Sequence, residues 1–281
     1  MSGQIGEKVI FAILGVPMLI CMLICMFIFS WILTLLLTGI GTVRWELLTV
    51  TVLRGGMFEI IVGTIYLLLG AVAVAGPIGI LAAIYLVEYA PSGRLTRVID
   101  QAINNLAGVP SIVIGLFGYT FFCRHLGLGV SLVAGWLTLA LMVLPIVIRG
   151  SEEALRMVPA SFKEAALALG ASRWKAISSI ILPAAAPGVV TSVILGIARV
   201  AGETAAILFT SCVLTARGLP KTPLEPVMAL SYYLFVQIVA LGTPAQRVFG
   251  VALVLFMTVV SLSLLAIILR IRYRRRQPWL R

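Results

Sequence analysis

The chain has 281 residues, of which 61% are hydrophobic and 11% are charged, and its formal net charge is +11. Soluble globular domains carry charge on about a quarter of their residues, so this composition excludes an ordinary soluble protein. The basic excess does not indicate nucleic-acid binding, because six of the arginines lie in the last dozen residues, directly after a hydrophobic segment. That placement is typical of a cytoplasmic anchor at a membrane surface.

Long uncharged segments predict an all-α polytopic membrane protein. A transmembrane helix needs about 20 apolar residues, because every backbone polar group within the hydrocarbon must be hydrogen-bonded inside the segment. The first apolar stretch is too long for a signal-peptide core, and no small-x-small cleavage site follows it, so we interpret it as a retained span. The sequence predicts six spans, at residues 9–38, 58–87, 106–123, 127–148, 186–213 and 246–270.

An even number of spans places both termini on one side of the membrane. If that side is the cytoplasm, fourteen lysines and arginines lie inside and six outside, as the positive-inside rule requires. Segment 226–245 is predicted to be an interfacial or re-entrant helix on the outer face, since a seventh crossing would move the basic C-terminus outside. We therefore expect one transmembrane domain over residues 1–281, with a core at 58–270, a polar loop at 149–183 and a basic cytoplasmic tail at 270–281.

Prolines and cysteines inside the apolar segments have structural explanations. Pro77, Pro110 and Pro145 lie in predicted spans, and each predicts a kink or a helix end because proline lacks a backbone donor and clashes with the preceding turn. The four cysteines have no histidine or acidic partners nearby, so ordinary packing is favoured over a metal site or a disulfide. These cysteines are Cys21, Cys25, Cys123 and Cys212.

The polar loop at 149–183 is predicted to meet a cytoplasmic partner through a short helix. Pro159 ends one helix, because the residue before a proline is disfavoured in the helical conformation. Ser161 and Glu164 form a capping-box pattern at the start of a second helix, and Gly170 is placed to end it in a left-handed conformation. One face of this helix carries small and apolar residues that a partner's groove could approach closely, and they are Phe162, Ala165, Ala166 and Leu169. The alternative is a helix that packs only beneath its own bundle.

The predicted fifth span is the only one that carries charges away from its ends, Arg199 and Glu203. Their spacing of four residues places them on one helical face, and charges at membrane depth usually face a bundle interior or a water-filled path. One interpretation is a self-neutralising structural pair. The other is that Arg199 binds an oxyanion through two parallel charge-assisted hydrogen bonds, while Glu203 holds the guanidinium in place between substrates.

Two patterns resemble known transport proteins. The spacing in the polar loop resembles the EAA signature of ABC-importer permeases, the cytoplasmic loop that docks on a separate ATPase subunit. The stretch 197–206 resembles the ARxxGET segment of phosphate ABC-transporter permeases, and segments 79–90 and 105–118 are similar to the same family. The alanines and the Ile-Leu-Phe-Thr sequence after GET favour its A-type (PstA-like) subunit. The residues that match the EAA signature are Glu164, Ala165, Ala166, Gly170, Ile180, Leu182 and Pro183.

The resemblance implies a permease of the type I ABC-importer kind, with six transmembrane helices and a cytoplasmic EAA coupling loop. It implies a heteromeric importer of inorganic phosphate in a prokaryotic inner membrane, with both termini cytoplasmic and the chain in contact with membrane lipid. A second, C-type permease would complete the path, two ATP-binding subunits would hold ATP and Mg, and a periplasmic or extracellular phosphate-binding protein would deliver the substrate. No cofactor or metal is expected in this chain. The implied residues are Arg199, Glu203 and Thr204 for the substrate path, and Phe162, Glu164, Ala165, Ala166, Leu169 and Gly170 for ATPase coupling.

Other functions remain as alternatives. None of the four lysines follows a glycine as a Walker A motif requires, so the sequence does not predict an ATP-hydrolysing subunit. An ion-coupled secondary transporter of an anion is one rival, although such folds often contain paired half-repeats and only one predicted span carries charges away from its ends. An ABC permease for another oxyanion is a second rival. A membrane-embedded enzyme is the third, but the lone His125 has no acidic or metal-binding partners nearby in the sequence.

Overall fold

The computed structural model describes residues 2–41, 43, 48–50, 56–214 and 218–275 of the chain. The described part is helical, and its only pairing of the β type is an isolated bridge between Cys212 and Val227. Four of the helices run directly into or out of π-helical turns, at Tyr85–Tyr89, Tyr119–His125 and Ile177–Ile181. The α-helices are α1 Ser2–Ile40, α2 Phe58–Ile84, α3 Arg94–Ala107, α4 Ser111–Gly118, α5 Leu132–Arg156, α6 Ala160–Ala168, α7 Arg173–Ala176, α8 Leu182–Ala201, α9 Leu230–Val239 and α10 Ala245–Arg275.

Among the described residues, five helical segments are long and apolar enough to cross a membrane. A sixth span results if α3 and the α4 segment are counted together, although these two are bent by 105°. The prediction of an all-α polytopic protein is therefore confirmed. The five straight segments are Leu14–Ile40, Phe58–Tyr89, Leu132–Arg156, Arg173–Ala201 and Ala245–Arg272.

The predicted bounds of three spans need correction. The third, 106–123, is not one straight helix, because Pro110 is the N-cap of α4 and the chain turns between Ala107 and Ser111. The fourth, 127–148, begins only at Leu132, after glycines with positive φ at 127 and 129. The fifth, 186–213, ends at Ala201 and is preceded by helix from Arg173 onward. Pro77 and Pro145 lie inside continuous helices and do not end them.

Helices α2, α5 and α8 form the centre of the bundle, and small residues bring them together. A Cβ atom on Gly70 of α2 would lie 2.1 Å from the Trp136 indole of α5. A Cβ atom on Gly150 of α5 would lie 2.4 Å from the Cβ of Ser192 of α8. Membrane helices lack a hydrophobic force between them, so close approach at small residues supplies their packing energy.

The order of these contacts defines the two ends of the bundle. Gly70 lies beside Trp136 and Gly79 beside Val147, so α2 and α5 run parallel, whereas α8 runs antiparallel to both. The ends of α2 and α5, the helices α6 and α7, and the start of α8 therefore share one end, which we call the loop end. The C-terminus of α8, residues 202–214 and α9 lie at the other, the far end.

Segment 226–245 contains α9, which is too short to cross a membrane. Ten residues rise about 15 Å, half the thickness of a bilayer's hydrocarbon core. The Leu230 side chain is fully buried, and its backbone N–H donates to Thr64 Oγ1 at 2.9 Å. The polar residues Ser231 and Gln237 are buried as well. The helix is thus packed into the far end of the bundle. This agrees with the prediction of a short helix that does not cross the membrane, but the polar side chains face the bundle and not the membrane surface.

The cysteines divide into two pairs. Cys123 and Cys212 are buried, as ordinary packing predicts. Cys21 and Cys25 are exposed on α1, which packs along α10 and leaves most of its described side chains uncovered within this chain. The packing interpretation therefore holds for the first pair only.

Candidate functional site

Arg199 and Glu203 form an ion pair at the end of α8. Arg199 Nη1 donates to Glu203 Oε2 at 2.9 Å. The Glu203 side chain is 6% exposed, whereas the Arg199 side chain is 47% exposed. The two charges thus meet as the spacing predicts, but only the carboxylate is enclosed by this chain. The guanidinium opens onto its surface.

Arg199 and Glu203 form their ion pair although α8 ends between them. Gly202 caps α8, and residues 203 and 204 lie outside it, contrary to the predicted span. The Glu203 N–H nevertheless donates to the Val200 carbonyl at 2.9 Å. This bond continues the turn for one residue and keeps Glu203 beside Arg199. The Thr204 carbonyl accepts from the Leu208 N–H at 3.1 Å, and no hydrogen bond in the described part joins the Thr204 hydroxyl to the ion pair.

Ser111 is the third member of this cluster, and the sequence argument assigned it no role. Arg199 Nη2 donates to Ser111 Oγ at 3.2 Å, and Ser111 Oγ donates to Glu203 Oε2 at 3.3 Å. Ser111 is the first residue of α4, so the N-terminus of that helix points at the pair. The first N–H groups of a helix have no partners within it and carry partial positive charge. The available signal was the serine directly after Pro110, at a predicted helix start.

The segment after α8 is irregular yet buried. Ala206, Thr210 and Ser211 have no exposed surface, and the Ser231 hydroxyl donates to the Glu203 carbonyl at 2.7 Å. Non-helical backbone at membrane depth is tolerated where protein covers it. The helix α4 packs directly on this segment, since a Cβ atom on Gly115 would lie 2.8 Å from the Ala205 carbonyl oxygen. These contacts hold Glu203 in place without a helix.

The loop helix exists, but it starts differently from the prediction. Pro159 is the N-cap of α6 and no side chain caps the helix, so Ser161 and Glu164 do not form a capping box. Since α6 begins at Ala160, Ser161 is already within the first turn and cannot cap it. The predicted end is confirmed: Gly170 has a φ of +82°. The Ala171 N–H donates to the Ala166 carbonyl and the Gly170 N–H to the Leu167 carbonyl, at 3.1 and 3.0 Å, which is a Schellman motif.

The predicted docking face of α6 is divided in two. Ala166 is 3% exposed and faces its own bundle. Phe162 and Leu169 are 41% and 89% exposed, and Glu164 and Ala165 are exposed as well. Both interpretations of the loop therefore hold in part, because one side of α6 packs on its own chain and the other is available to a partner. The role of these residues in ATPase coupling stays a prediction.

A carboxylate at the end of α2 joins α6 and α7 to the bundle. Glu88 is 7% exposed, and its carboxylate accepts from Lys163 Nζ at 2.5 Å. Its backbone carbonyl accepts from the Arg173 guanidinium, whose central carbon lies 4.8 Å from the Tyr89 ring centroid. We call Glu88, Lys163 and Arg173 the loop clamp. The sequence argument missed it, because 75 residues separate Glu88 from Lys163 and no local pattern pairs them.

A second charged cluster holds α3 on α5. Arg149 donates to Asp100 Oδ1 at 2.9 Å, to Asn104 Oδ1 at 3.0 Å and to Glu152 Oε2 at 2.7 Å. The helix α3 has no buried residue of its own, so these bonds are a large part of its attachment. Glu152 Oε1 is buried and has no hydrogen-bond partner in the described part of the chain. The sequence argument counted Arg149 only as a loop charge.

The fold and these sites define a class: a helical membrane protein with an ion pair at the end of one apolar span and a helical loop at one end of the bundle. The sequence model of the family described as "Binding-protein-dependent transport system inner membrane component" matches residues 75–277. The chain belongs to this family of inner-membrane transport permeases.

Curated relatives share the same region. The phosphate transport system permease protein PstA 1 of Mycobacterium tuberculosis (strain ATCC 25618 / H37Rv) is 45% identical over 154 residues, which are 55% of this chain and 50% of that protein. The phosphate transport system permease protein PstA of Yersinia pestis is 45% identical over 157 residues, 56% of this chain and 53% of that protein. The probable ABC transporter permease protein YqgI of Bacillus subtilis (strain 168) is 39% identical over 163 residues, 58% and 55% of the two chains. This chain therefore spans about half the length of the curated relatives it matches.

Solved structures confirm the fold. An inward-facing structure of the MetNI methionine ABC transporter matches with a TM-score of 0.60 at 20% identity, over 77% of this chain and 97% of the other. A bacterial ABC transporter involved in the import of the acidic polysaccharide alginate matches with a TM-score of 0.56 at 15% identity, over 79% of both chains. The architecture is that of an ABC-importer permease.

Proposed function

We propose that this chain is the A-type permease subunit of an ATP-driven phosphate importer. Relatives whose names state phosphate transport support the substrate, and the fold supports the permease role. The observation that carries the proposal is the Arg199 site, where a buried carboxylate and a serine orient a half-exposed guanidinium. The chain itself would hydrolyse no ATP, and ATP and Mg would be held by partner subunits.

The exposed side of Arg199 is the side that an anion can reach. The cavity against the buried face of Glu203 has a volume of only about 10 Å³, which is at the lower limit for one water molecule. A phosphate ion would therefore approach from the surface of the chain, where a second permease would complete a closed path. There the guanidinium can donate to oxyanion oxygens, and the N-terminus of α4 adds favourable partial charge.

Glu203 and Ser111 would keep Arg199 ready between transport cycles. A guanidinium at membrane depth without a counter-charge is costly, and the ion pair lowers that cost. Phosphate would replace part of the Ser111 and Glu203 contacts and leave them to re-form after release. Thr204 follows Glu203 directly and is included in the proposed path because of that position. Its hydroxyl makes no hydrogen bond to the ion pair in the described structure.

The loop end would face the cytoplasm and bind an ATPase. The positive-inside distribution supports this orientation, with both termini cytoplasmic. The proposed contacts are on the exposed side of α6, where Phe162, Glu164, Ala165 and Leu169 lie. Ala166 and Gly170 would not contact the ATPase directly. Ala166 would pack α6 on its own bundle, and Gly170 would end the helix. A C-type permease, two ATP-binding subunits and a phosphate-binding protein would complete the importer.

The substitution Arg199→Ala tests the substrate assignment. We expect it to abolish phosphate uptake while leaving assembly with the partner subunits intact, because it removes the anion ligand from a half-exposed position. Loss of a charge-assisted contact is worth roughly 1.5–3 kcal/mol, or at least tenfold in affinity. Uptake of radiolabelled phosphate in a strain that depends on this importer is the measurement.

The matched control is Arg247→Ala, which removes an exposed arginine near the start of α10. We expect it to keep uptake close to the unsubstituted level. Normal uptake by an assembled Arg199→Ala importer would contradict the assignment, and so would an equal loss in both variants.

A further inference from the structure

An apolar groove lies at the loop end of the bundle. It has a volume of about 450 Å³ and is formed by the end of α5, the start of α6, the start of α8 and the C-terminal part of α10. Its apolar lining includes Met157, Phe162, Ala184 and Pro187, and Arg270 is the only charged residue that lines it in the described part of the chain. The volume is in the range of sites that hold a small organic ligand or part of a lipid.

Arg270 gives the groove its charge. Its side chain is partly buried, and it forms no ion pair with any carboxylate in the described part of the chain. By contrast, Arg149, Lys163 and Arg199 each have an acidic partner. A partly buried cation beside an apolar surface is costly without an anion. Among the described residues, therefore, no acidic side chain neutralises Arg270 in the groove.

The position of Arg270 along α10 indicates where that group comes from. The apolar span of this helix is Ala245–Arg272, so Arg270 lies in its last turn, at the depth of lipid headgroups. The sequence continues with further arginines at 272, 274, 275 and 276. Basic clusters directly after a span attract anionic lipids, and basic pockets between membrane helices bind their headgroups.

We propose that this groove binds one anionic phospholipid from the leaflet at the loop end, with its phosphate on Arg270 and an acyl chain along the apolar walls. The ligand has the same phosphate chemistry as the proposed substrate, but it reaches the site laterally from the membrane. Because Phe162 belongs both to a wall of the groove and to α6, the bound lipid would contact the loop helix. The site is separate from Arg199 and does not depend on which substrate is transported.

Native mass spectrometry of the purified full-length protein, with any partners that accompany it, tests the site after reconstitution in nanodiscs of phosphatidylglycerol and phosphatidylcholine. We expect one retained phosphatidylglycerol for each chain, in preference to phosphatidylcholine. Arg270→Gln should reduce that preference about tenfold, because it removes one charge-assisted phosphate contact. Arg272→Gln is the matched control. It removes the same charge two residues further along the chain, at a position that does not line the groove, and it should change the preference less than twofold.

A second variant tests the apolar part of the groove. Ala184→Phe fills space between the walls, so it should reduce retention of both lipids, whereas Arg270→Gln removes only the preference for the anionic one. Equal effects of Arg270→Gln and Arg272→Gln would overturn the proposal, because they would show general attraction to the basic tail. Displacement of the lipid by millimolar inorganic phosphate would overturn it in favour of a free-anion site. Exclusion of lipid by a bound ATPase subunit would overturn it in favour of a protein contact.

Discussion

At the scale of single residues, the two charges of the Arg199 site differ in how far they are buried. Glu203 is enclosed and neutralised, while Arg199 keeps an exposed side. Unequal burial is not special to this pair, because the Lys163–Glu88 pair of the loop clamp is 31% and 7% exposed. What favours a site that holds a guanidinium ready for an external anion is the exposed side of Arg199 together with Ser111 and the start of α4.

Gly170 is a residue whose identity follows from its backbone conformation. Its φ of +82° is unfavourable for any residue with a side chain, although a Cβ atom there would meet no atom within 4 Å. We expect Gly170→Ala to destabilise the end of α6 by roughly 1 kcal/mol. Hydrogen exchange at the Ala171 amide, which closes the Schellman motif, should accelerate about fivefold.

Gly93→Ala is the control for this prediction. Gly93 has an extended backbone with a φ of −158°, and a Cβ atom there would have only one distant neighbour, the Pro91 carbonyl oxygen at 4.0 Å. It should leave the Ala171 amide unchanged. Unaltered hydrogen exchange at the Ala171 amide in both variants would show that the positive φ of Gly170 does not affect the stability of the end of α6. A weakened ATPase association in Gly170→Ala, with normal membrane insertion, would link the same conformation to docking.

At the scale of elements, the loop clamp determines how α6 and α7 are joined to α2. Lys163 of α6 and Arg173 of α7 both bind Glu88, which follows α2 in the π-helical turn. The helix α2 in turn packs along α5. If a partner binds α6, one buried carboxylate would connect it to the bundle centre, in addition to the chain that continues into α8.

We expect Glu88→Gln to weaken the attachment of α6 to the bundle, because it removes the carboxylate charge that pairs with Lys163. A double-mutant cycle with Glu88→Gln and Lys163→Met should give a coupling energy of about 1–3 kcal/mol on thermal unfolding, as for a hydrogen bond between charged groups of which one is buried. The exposed carboxylate Glu153 offers the control, and Glu153→Gln should be close to neutral. A coupling energy near zero would show that the clamp is not a structural connection.

At the scale of the whole molecule, much of the described surface is left uncovered by the chain itself. Nearly all of the described side chains of α1 are exposed, Arg199 opens outward, and one side of α6 is uncovered. Membrane lipid would cover part of this surface, but a half-exposed arginine within the membrane would require a polar surrounding. A second permease that encloses the Arg199 site would supply it.

The expected composition of the complex follows from that surface. Gentle solubilisation of the tagged chain from its native membrane should co-purify a soluble ATPase and a second permease, as identified by mass spectrometry. Phosphate uptake by the reconstituted complex should need ATP inside the vesicles and persist when ion gradients are dissipated. A chain that purifies alone and transports in response to an ion gradient without ATP would support a secondary transporter instead.

The class of protein, the left-handed end of α6 and the pairing of Arg199 with Glu203 could be predicted from the amino-acid sequence alone. These features are local: backbone groups in a bilayer must be satisfied within each segment, a glycine permits positive φ, and four residues make about one helical turn. Even so, Ser161 shows that a local pattern fails when a neighbour, here Pro159, starts the helix two residues earlier.

Only the tertiary structure decided where α8 ends, how sharply the chain bends before α4, and which distant groups complete each site. Ser111 reaches Glu203 across 92 positions and Lys163 reaches Glu88 across 75. Such pairs form because packing brings helices together at small residues such as Gly115 and Gly150. The energy of those contacts depends on the surfaces of two segments at once, so neither segment's own pattern of residues specifies it.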